Sequence, residues 1–140
     1  AARPAGINIE VVRKPNDGYW SNTWLKDPWV ASYWGGRPTE DWMFSQVYSE
    51  NAIATGWSET KFVHQKFEKL LVQARAELND AKRREMYVEM QQIVHDNCSV
   101  IIPIFSAYGH ASTSNVKRGS KVASNWEFDG HKNAERWWMG

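Results

Sequence analysis

Apolar residues recur at three- and four-residue steps from Phe62 and Val63 through Phe67, Leu70, Leu71 and Ala74 to Leu78. That spacing gathers them on one face of a helix of about five turns, with hydroxyls at Ser58 and Thr60 to cap its start. A second helical pattern restarts at Asp80, carrying Met86, Tyr87, Met90, Ile93 and Val94 on one face and Lys82, Arg83 and Arg84 outside it. Nothing aromatic interleaves with that basic triplet, so it reads as a solvated face rather than a nucleic-acid contact.

Elsewhere the period is shorter. Ile7, Ile9 and Val11 alternate with Asn8, Glu10 and Val12, which predicts a half-buried strand ended by Pro15. Asn16-Asp17-Gly18 is turn chemistry, and Asp17 is placed to cap a helix from Tyr19 to Lys26 that Pro28 closes from beyond its end. The run Trp29 to Trp34, WVASYW, has strand length and composition. Strand, helix and strand in that order make a βαβ unit, whose crossover implies parallel pairing.

After Gly35-Gly36, Thr39 caps a helix predicted from Glu40 to Tyr48, with Glu40 and Asp41 at the positive end of its dipole. Asn51 to Thr55 reads as a loop. Val100 to Phe105, VIIPIF, reads as a buried strand that Pro103 pushes toward an edge. The following stretch to Trp126 is rich in Ser, Gly and Asn and predicts irregular chain or short strands. The fold class is therefore α/β, with a βαβ start followed by long helices.

Composition narrows the function more by exclusion than by assertion. At 140 residues the chain suffices for one main compact unit with a core. Its 17 basic and 16 acidic residues leave a net charge of +1, which gives no electrostatic case for nucleic acid or an anionic membrane surface. The single cysteine, Cys98, forbids an internal disulfide and a Cys-based zinc cluster. It follows a predicted helix end, where nothing lowers its pKa, and reads as a small core hydrophobe. The longest apolar runs fall far short of the roughly 20 residues that span a bilayer. The opening AARPAGINIEVV lacks the charged start and apolar run of an export signal yet enters a strand pattern at once, so the expectation is a chain that begins inside a larger protein.

Sequence signatures of hydrolases, zinc proteases, P-loops and dinucleotide folds are absent. His64, His95, His110 and His131 are scattered without helical pairing, and Asp27, Asp41 and Asp129 have no second carboxylate at an instructive spacing. Neither catalysis nor a metal or cofactor is expected. What stands out is the count of nine tryptophans, several of them clustered before residue 60, and the segment YWGGRPTEDW from Tyr33 to Trp42. A strand ending in Trp34, then two glycines, then a helix start would place backbone N–H groups at the carboxyl edge of a sheet, where open α/β folds bind ligands. Gly35 and Gly36 would let a ligand approach closely, Arg37 would offer its fork of donors to a carboxylate or phosphate, and Trp34 a stacking face. The competing reading is structural, with Arg37 paired to Asp41 and Trp34 filling the core.

Over nearly its whole length the chain resembles the C-terminal part of the family 5 extracellular solute-binding proteins, the receptors of bacterial ABC importers for peptides, opines, nickel complexes and related solutes. The resemblance rests on AGINIEVVRKPNDGYW, SYWGGRPTEDW, the stretch GWSETKFVHQKFEKLLVQARAELNDAKRREMYVEMQQIVHD, VIIPIF and the closing DGHKNAERWW. It implies a two-lobed periplasmic receptor of the type II binding-protein fold that closes on its solute by a hinge, with an export signal upstream of this segment. Residues 1–108 would then be part of the C-terminal lobe, and 109–140 a segment returning toward the N-terminal lobe. Implied partners are a small-molecule solute, that N-terminal lobe and a membrane ABC permease, with no nucleic acid and no chemistry.

Peptide-binding members carry a Trp-x-x-Asp motif whose aspartate meets the peptide's α-amine. The matching tetrapeptide here is Trp34-Gly35-Gly36-Arg37, with a cation where the acid would be. Like charges brought together in a closing cleft cost several kcal/mol, so the resemblance implies a solute with an anionic or hydrogen-accepting group. Trp57, in a WSET segment similar to the family's Trp-Asn-x-Thr pattern, is a lesser cleft candidate. Two alternatives stand beside transport: the ligand-sensing lobe of a regulatory protein, and a Trp-rich carbohydrate-binding module.

Overall fold

The computed structural model describes residues 2–107, 109–123 and 126–140. The chain forms two compact units, Ala1–Ser32 and Tyr33–Gly140.

In the first unit a 3-10 turn, Arg3–Ala5, is closed by Gly6 in the left-handed conformation. The predicted strand over Ile7 to Val12 is instead exposed chain outside any ladder, with Val11 86% accessible. Alternation makes a strand only where another strand supplies hydrogen bonds, and none of the described residues does so here. Helix α1 covers Tyr19–Asn22, shorter than predicted. Gly18, at φ 71°, holds the N-cap position that Asp17 was expected to fill. The helix ends at Asn22, and Leu25, at φ 59°, rules out the expected run to Lys26, because a left-handed residue cannot continue a right-handed turn. The rings of Trp20 and Trp24 still meet edge to face with centres 5.8 Å apart, although Trp24 lies beyond the helix end. Tyr19 donates to the Ala31 carbonyl at 2.6 Å and ties the helix to the chain beyond it.

The second unit is built on an αα-hairpin. Helix α4, Gln65–Ala76, and helix α5, Asp80–Asn97, are joined by three residues and bury Phe67, Leu70, Leu71 and Ala74 against Met90, Ile93 and Val94. The stripes read from the sequence hold from Phe67 to Ala74 and from Met86 to Val94, but α4 starts later than expected and ends before Leu78, which like Val63 is exposed. His64, not a serine or threonine, is its N-cap, its Nδ1 accepting from the Phe67 N–H at 3.3 Å. Ser58 and Thr60 instead accept from Lys61 and Phe62, shaping the chain that leads in.

Helix α2, Glu40–Met43, is capped by Thr39 as predicted and runs on as a π-helical turn, Phe44–Tyr48. There the Ser49 N–H donates to the Phe44 carbonyl five residues back. Phe44, Val47 and Tyr48 from this turn complete the core. The predicted loop at Asn51 to Thr55 is helix α3, Glu50–Ala54, because Ser49 caps it by accepting from Ala52 at 3.2 Å.

The expected βαβ start and the strand at Val100 to Phe105 are not formed. Neither Trp29–Trp34 nor Val100–Phe105 lies in a ladder, and Phe105 is 92% accessible. Among the described residues the only sheet is the antiparallel ribbon of β1, Val116–Arg118, with β2, Trp137–Met139. Between them lie α6, Glu127–His131, whose backbone is left-handed from Phe128 on, and α7, Asn133–Arg136. The architecture is thus mixed helix with one small sheet. Among the described residues there is one two-stranded sheet, where a β-sandwich would have two packed sheets. No helix is long and apolar enough to cross a membrane among the described residues.

Candidate functional site

The chain entering α2 carries the site. Gly35 and Gly36 lead into Pro38 and the Thr39 cap, and Arg37 folds back across them. Its Nη1 donates to the Gly35 carbonyl at 2.9 Å and to the Gly36 carbonyl at 3.3 Å. Its Nε donates to Gln46 Oε1 at 2.8 Å. Gln46 sits on the π-helical turn, so the wide turn at 44–48 anchors the guanidinium as well as supplying core side chains.

Three indoles converge on the same cation. The Arg37 Cζ lies 5.7 Å from the Trp34 ring centre, 5.8 Å from that of Trp42 and 5.4 Å from that of Trp126. Contacts of this kind are each worth about 0.5–2 kcal/mol, depending on how dry the site is. Arg37 forms no ion pair with a carboxylate among the described residues, and its Nη2 donates to none of them. The positive charge is thus held by ring faces and neutral carbonyls and is not cancelled.

Trp34 is half-buried and packs against the helical core while its Nε1 donates to Glu59 at 3.1 Å. Trp57 meets it edge-on with ring centres 6.0 Å apart. Trp57 is placed by the end of α3, where Gly56 at φ 75° lets the Trp57 N–H reach the Ala52 carbonyl and its own N–H reach that of Ile53. That pair of bonds is a Schellman closure, which needs a left-handed residue at the glycine. All five residues predicted for ligand binding, Trp34, Gly35, Gly36, Arg37 and Trp57, therefore lie in one cluster.

The alternative reading of Arg37 is corrected in one half. Asp41 pairs with Arg75, whose Nε and Nη2 donate to its two oxygens at 2.7 and 3.2 Å, and Tyr87 donates to it at 3.3 Å. Arg37 does not share it. The other half stands in part, since Trp34 does contribute to core packing. Sequence reasoning missed Trp42 and Gln46 as participants, although both lie on a helix it predicted. It also missed Trp126, about ninety positions further on in a stretch without periodicity, where no local signal pointed to Arg37.

An open groove of about 690 Å³ lies between the start of α2 and α5, lined by Thr39, Glu40, Asp41, Asp80, Arg83 and Tyr87 among others. None of the five predicted residues lines it. Its charges are of both signs: Arg83 pairs with Asp80 inside it, and Asp41 with Arg75. Burial raises the pKa of the Cys98 thiol, which leaves it a poor nucleophile. Among the described residues no group of His, Cys, Asp or Glu is arranged to hold a metal ion. No family model matches this chain, and no curated protein or solved structure is significantly similar to it.

Proposed function

We propose that this chain is part of a solute receptor of the family 5 extracellular type, capturing a small polar solute for an ABC importer outside the cytoplasm, without chemistry. The observation that carries the reading is Arg37, a half-buried guanidinium fixed by Gln46 and two carbonyls, ringed by indoles, and lacking an acidic partner among the described residues. A site already ordered this way spends little entropy on binding and keeps its charge for an incoming anion. Trp34 and Trp57 supply apolar walls beside it.

Exposed apolar chain adds support. Ile101, Ile104 and Phe105 are well exposed to solvent, as are Val11 and Val12. Surface of that kind fits a chain that packs against a further lobe, as the binding-protein fold would require.

The test is isothermal titration of the full-length protein, after mass spectrometry has identified the solute that copurifies with it. Arg37→Asp places an acid against the solute's anionic group and is expected to weaken binding at least a hundredfold. Unchanged affinity would remove Arg37 from the site, and the absence of any bound solute or measurable titration would remove the receptor reading.

A further inference from the structure

Trp126 is the one member of the cluster that arrives from the far end of the chain, and the structure spends unusual means to put it there. Phe128, Asp129, Gly130 and His131 all lie at φ between 48 and 66°. Three of these are not glycine, and left-handed backbone costs such residues roughly 1–2 kcal/mol each, so it persists only where surroundings over-determine it. The surroundings here are a buried carboxylate. Asp129 is 2% exposed and accepts from the Ala123 N–H at 2.6 Å, from Arg136 Nη1 at 2.9 Å and from Trp137 Nε1 at 3.3 Å. Those three bonds tie the left-handed turn to the chain before it and to β2 after it. The turn holds Trp126 in two ways: the Gly130 N–H donates to its carbonyl at 3.3 Å, and the His131 ring meets its indole edge-on at 5.0 Å.

Resting on the solute-receptor reading above, we propose that Trp126 is a specificity wall of the Arg37 site, that Asp129 is its positioning residue, and that the site takes a carboxylate carried on a flat apolar body. The chemistry follows from the geometry. Among the described residues Arg37 Nη2 is the donor left for a carboxylate, and of the three indoles beside its Cζ that of Trp126 lies nearest, at 5.4 Å. An indole face rewards a flat, polarisable group and does little for a methyl.

Benzoate and acetate separate the two parts of this claim, since they share the carboxylate and differ in the ring. With the full-length protein, freed of copurifying solute, benzoate is expected to bind more tightly than acetate. Trp126→Ala should cut benzoate affinity roughly three- to tenfold and leave acetate unchanged, while Trp126→Phe restores most of the loss. Asp129→Asn should follow Trp126→Ala, with benzoate weakened and acetate spared; equal weakening of both would overturn its positioning role. The Arg37 Nε–H resonance gives a readout that needs no ligand: loss of the indole ring current in Trp126→Ala must shift it, and Asp129→Asn, where it folds, should shift it the same way. An unmoved resonance overturns the apposition.

The failures are distinguishable. Arg37→Ala that spares both probes sinks the receptor site itself. Arg37→Ala that weakens both, beside a Trp126→Ala that spares benzoate, sinks only the inference. A wild-type protein that retains its own solute but binds no benzoate also sinks the inference alone.

Discussion

Helix α2 has an arginine on each side of its start, and the two are held by opposite means. Arg75 reaches it from α4 and grips both oxygens of Asp41, with Ser45 and Tyr87 joining the network. The Asp41 bond, aided by its charge, raises the Arg75 pKa although burial works against it. Arg37 is gripped by an amide, two carbonyls and three ring faces. Both guanidiniums are fixed in place. Only Arg75 has a carboxylate partner among the described residues, and the lesson is that order and neutrality are separate properties of a cation. A fixed cation without a counter-ion is what an anion site needs before its ligand arrives.

The strongest way to break the contrast is to remove the frame both arginines share. Phe67 is wholly buried and meets Phe44 ring to edge at 5.3 Å, and Phe44 begins the π-helical turn that carries Gln46. Phe67→Ala is expected to cost about 3–5 kcal/mol in chemical denaturation. Both guanidinium environments should then be lost together.

A milder pair of substitutions sharpens it. Asp41→Ala leaves Arg75 and Tyr87 without their acceptor and is expected to cost about 1–2 kcal/mol, an effect that shrinks in added salt because both partners are part-exposed. Gln46→Ala removes one neutral bond to Arg37 and should cost about 0.5–1 kcal/mol whatever the salt. Denaturation midpoints at low and high ionic strength decide the matter. Salt-dependent loss at Gln46 would mean that Arg37 pairs with a carboxylate after all.

What was legible in the sequence follows the same division. The α4–α5 hairpin was readable because a buried helical face repeats every three or four residues, and the Thr39 cap because its chemistry is local. Strands were over-read. Ile7 to Val12, Trp29 to Trp34 and VIIPIF carry the composition of strands, but a strand exists only through a partner, and composition does not name one. The loop at Asn51 to Thr55 was misread because a helix of five residues is too short to show a period, though Ser49 starts it and Gly56 ends it. In the site, Trp34 through Arg37 are neighbours in sequence and came together easily. Trp126 could not be placed, since it depends on Asp129 and a left-handed turn that no periodicity announces.

Gly56 offers a smaller test on the Arg37 side alone. Nothing stands within 4 Å of where a Cβ would go, so Gly56→Ala tests backbone conformation rather than crowding. At φ 75° an alanine should cost about 1 kcal/mol. Because the Schellman closure positions Trp57 against Trp34, near-ultraviolet circular dichroism should change in the same variant, while the Arg75 side keeps its response to salt.

The smallest effect compares two tyrosines, one on each side. Burial first, then the nearby Cys98 and Glu59, pushes the Tyr48 pKa up to about 12. Tyr87 is raised as well, by burial and then by Asp41, with Arg75 opposing. A phenol whose folded pKa exceeds its unfolded value, near 10, contributes stability that is whole below pH 10 and is lost as pH climbs through the folded value. Unfolding followed from pH 9 to 12, alongside phenolate absorbance at 295 nm, should therefore show stability falling above pH 10. Tyr48→Phe should flatten most of that fall at any salt, because desolvation is its main cause. Tyr87→Phe should flatten less of it, and less still at high ionic strength, where the charges of Asp41 and Arg75 are screened. A larger alkaline effect from Tyr87 than from Tyr48 would mean that the drier phenol is the one beside Arg75.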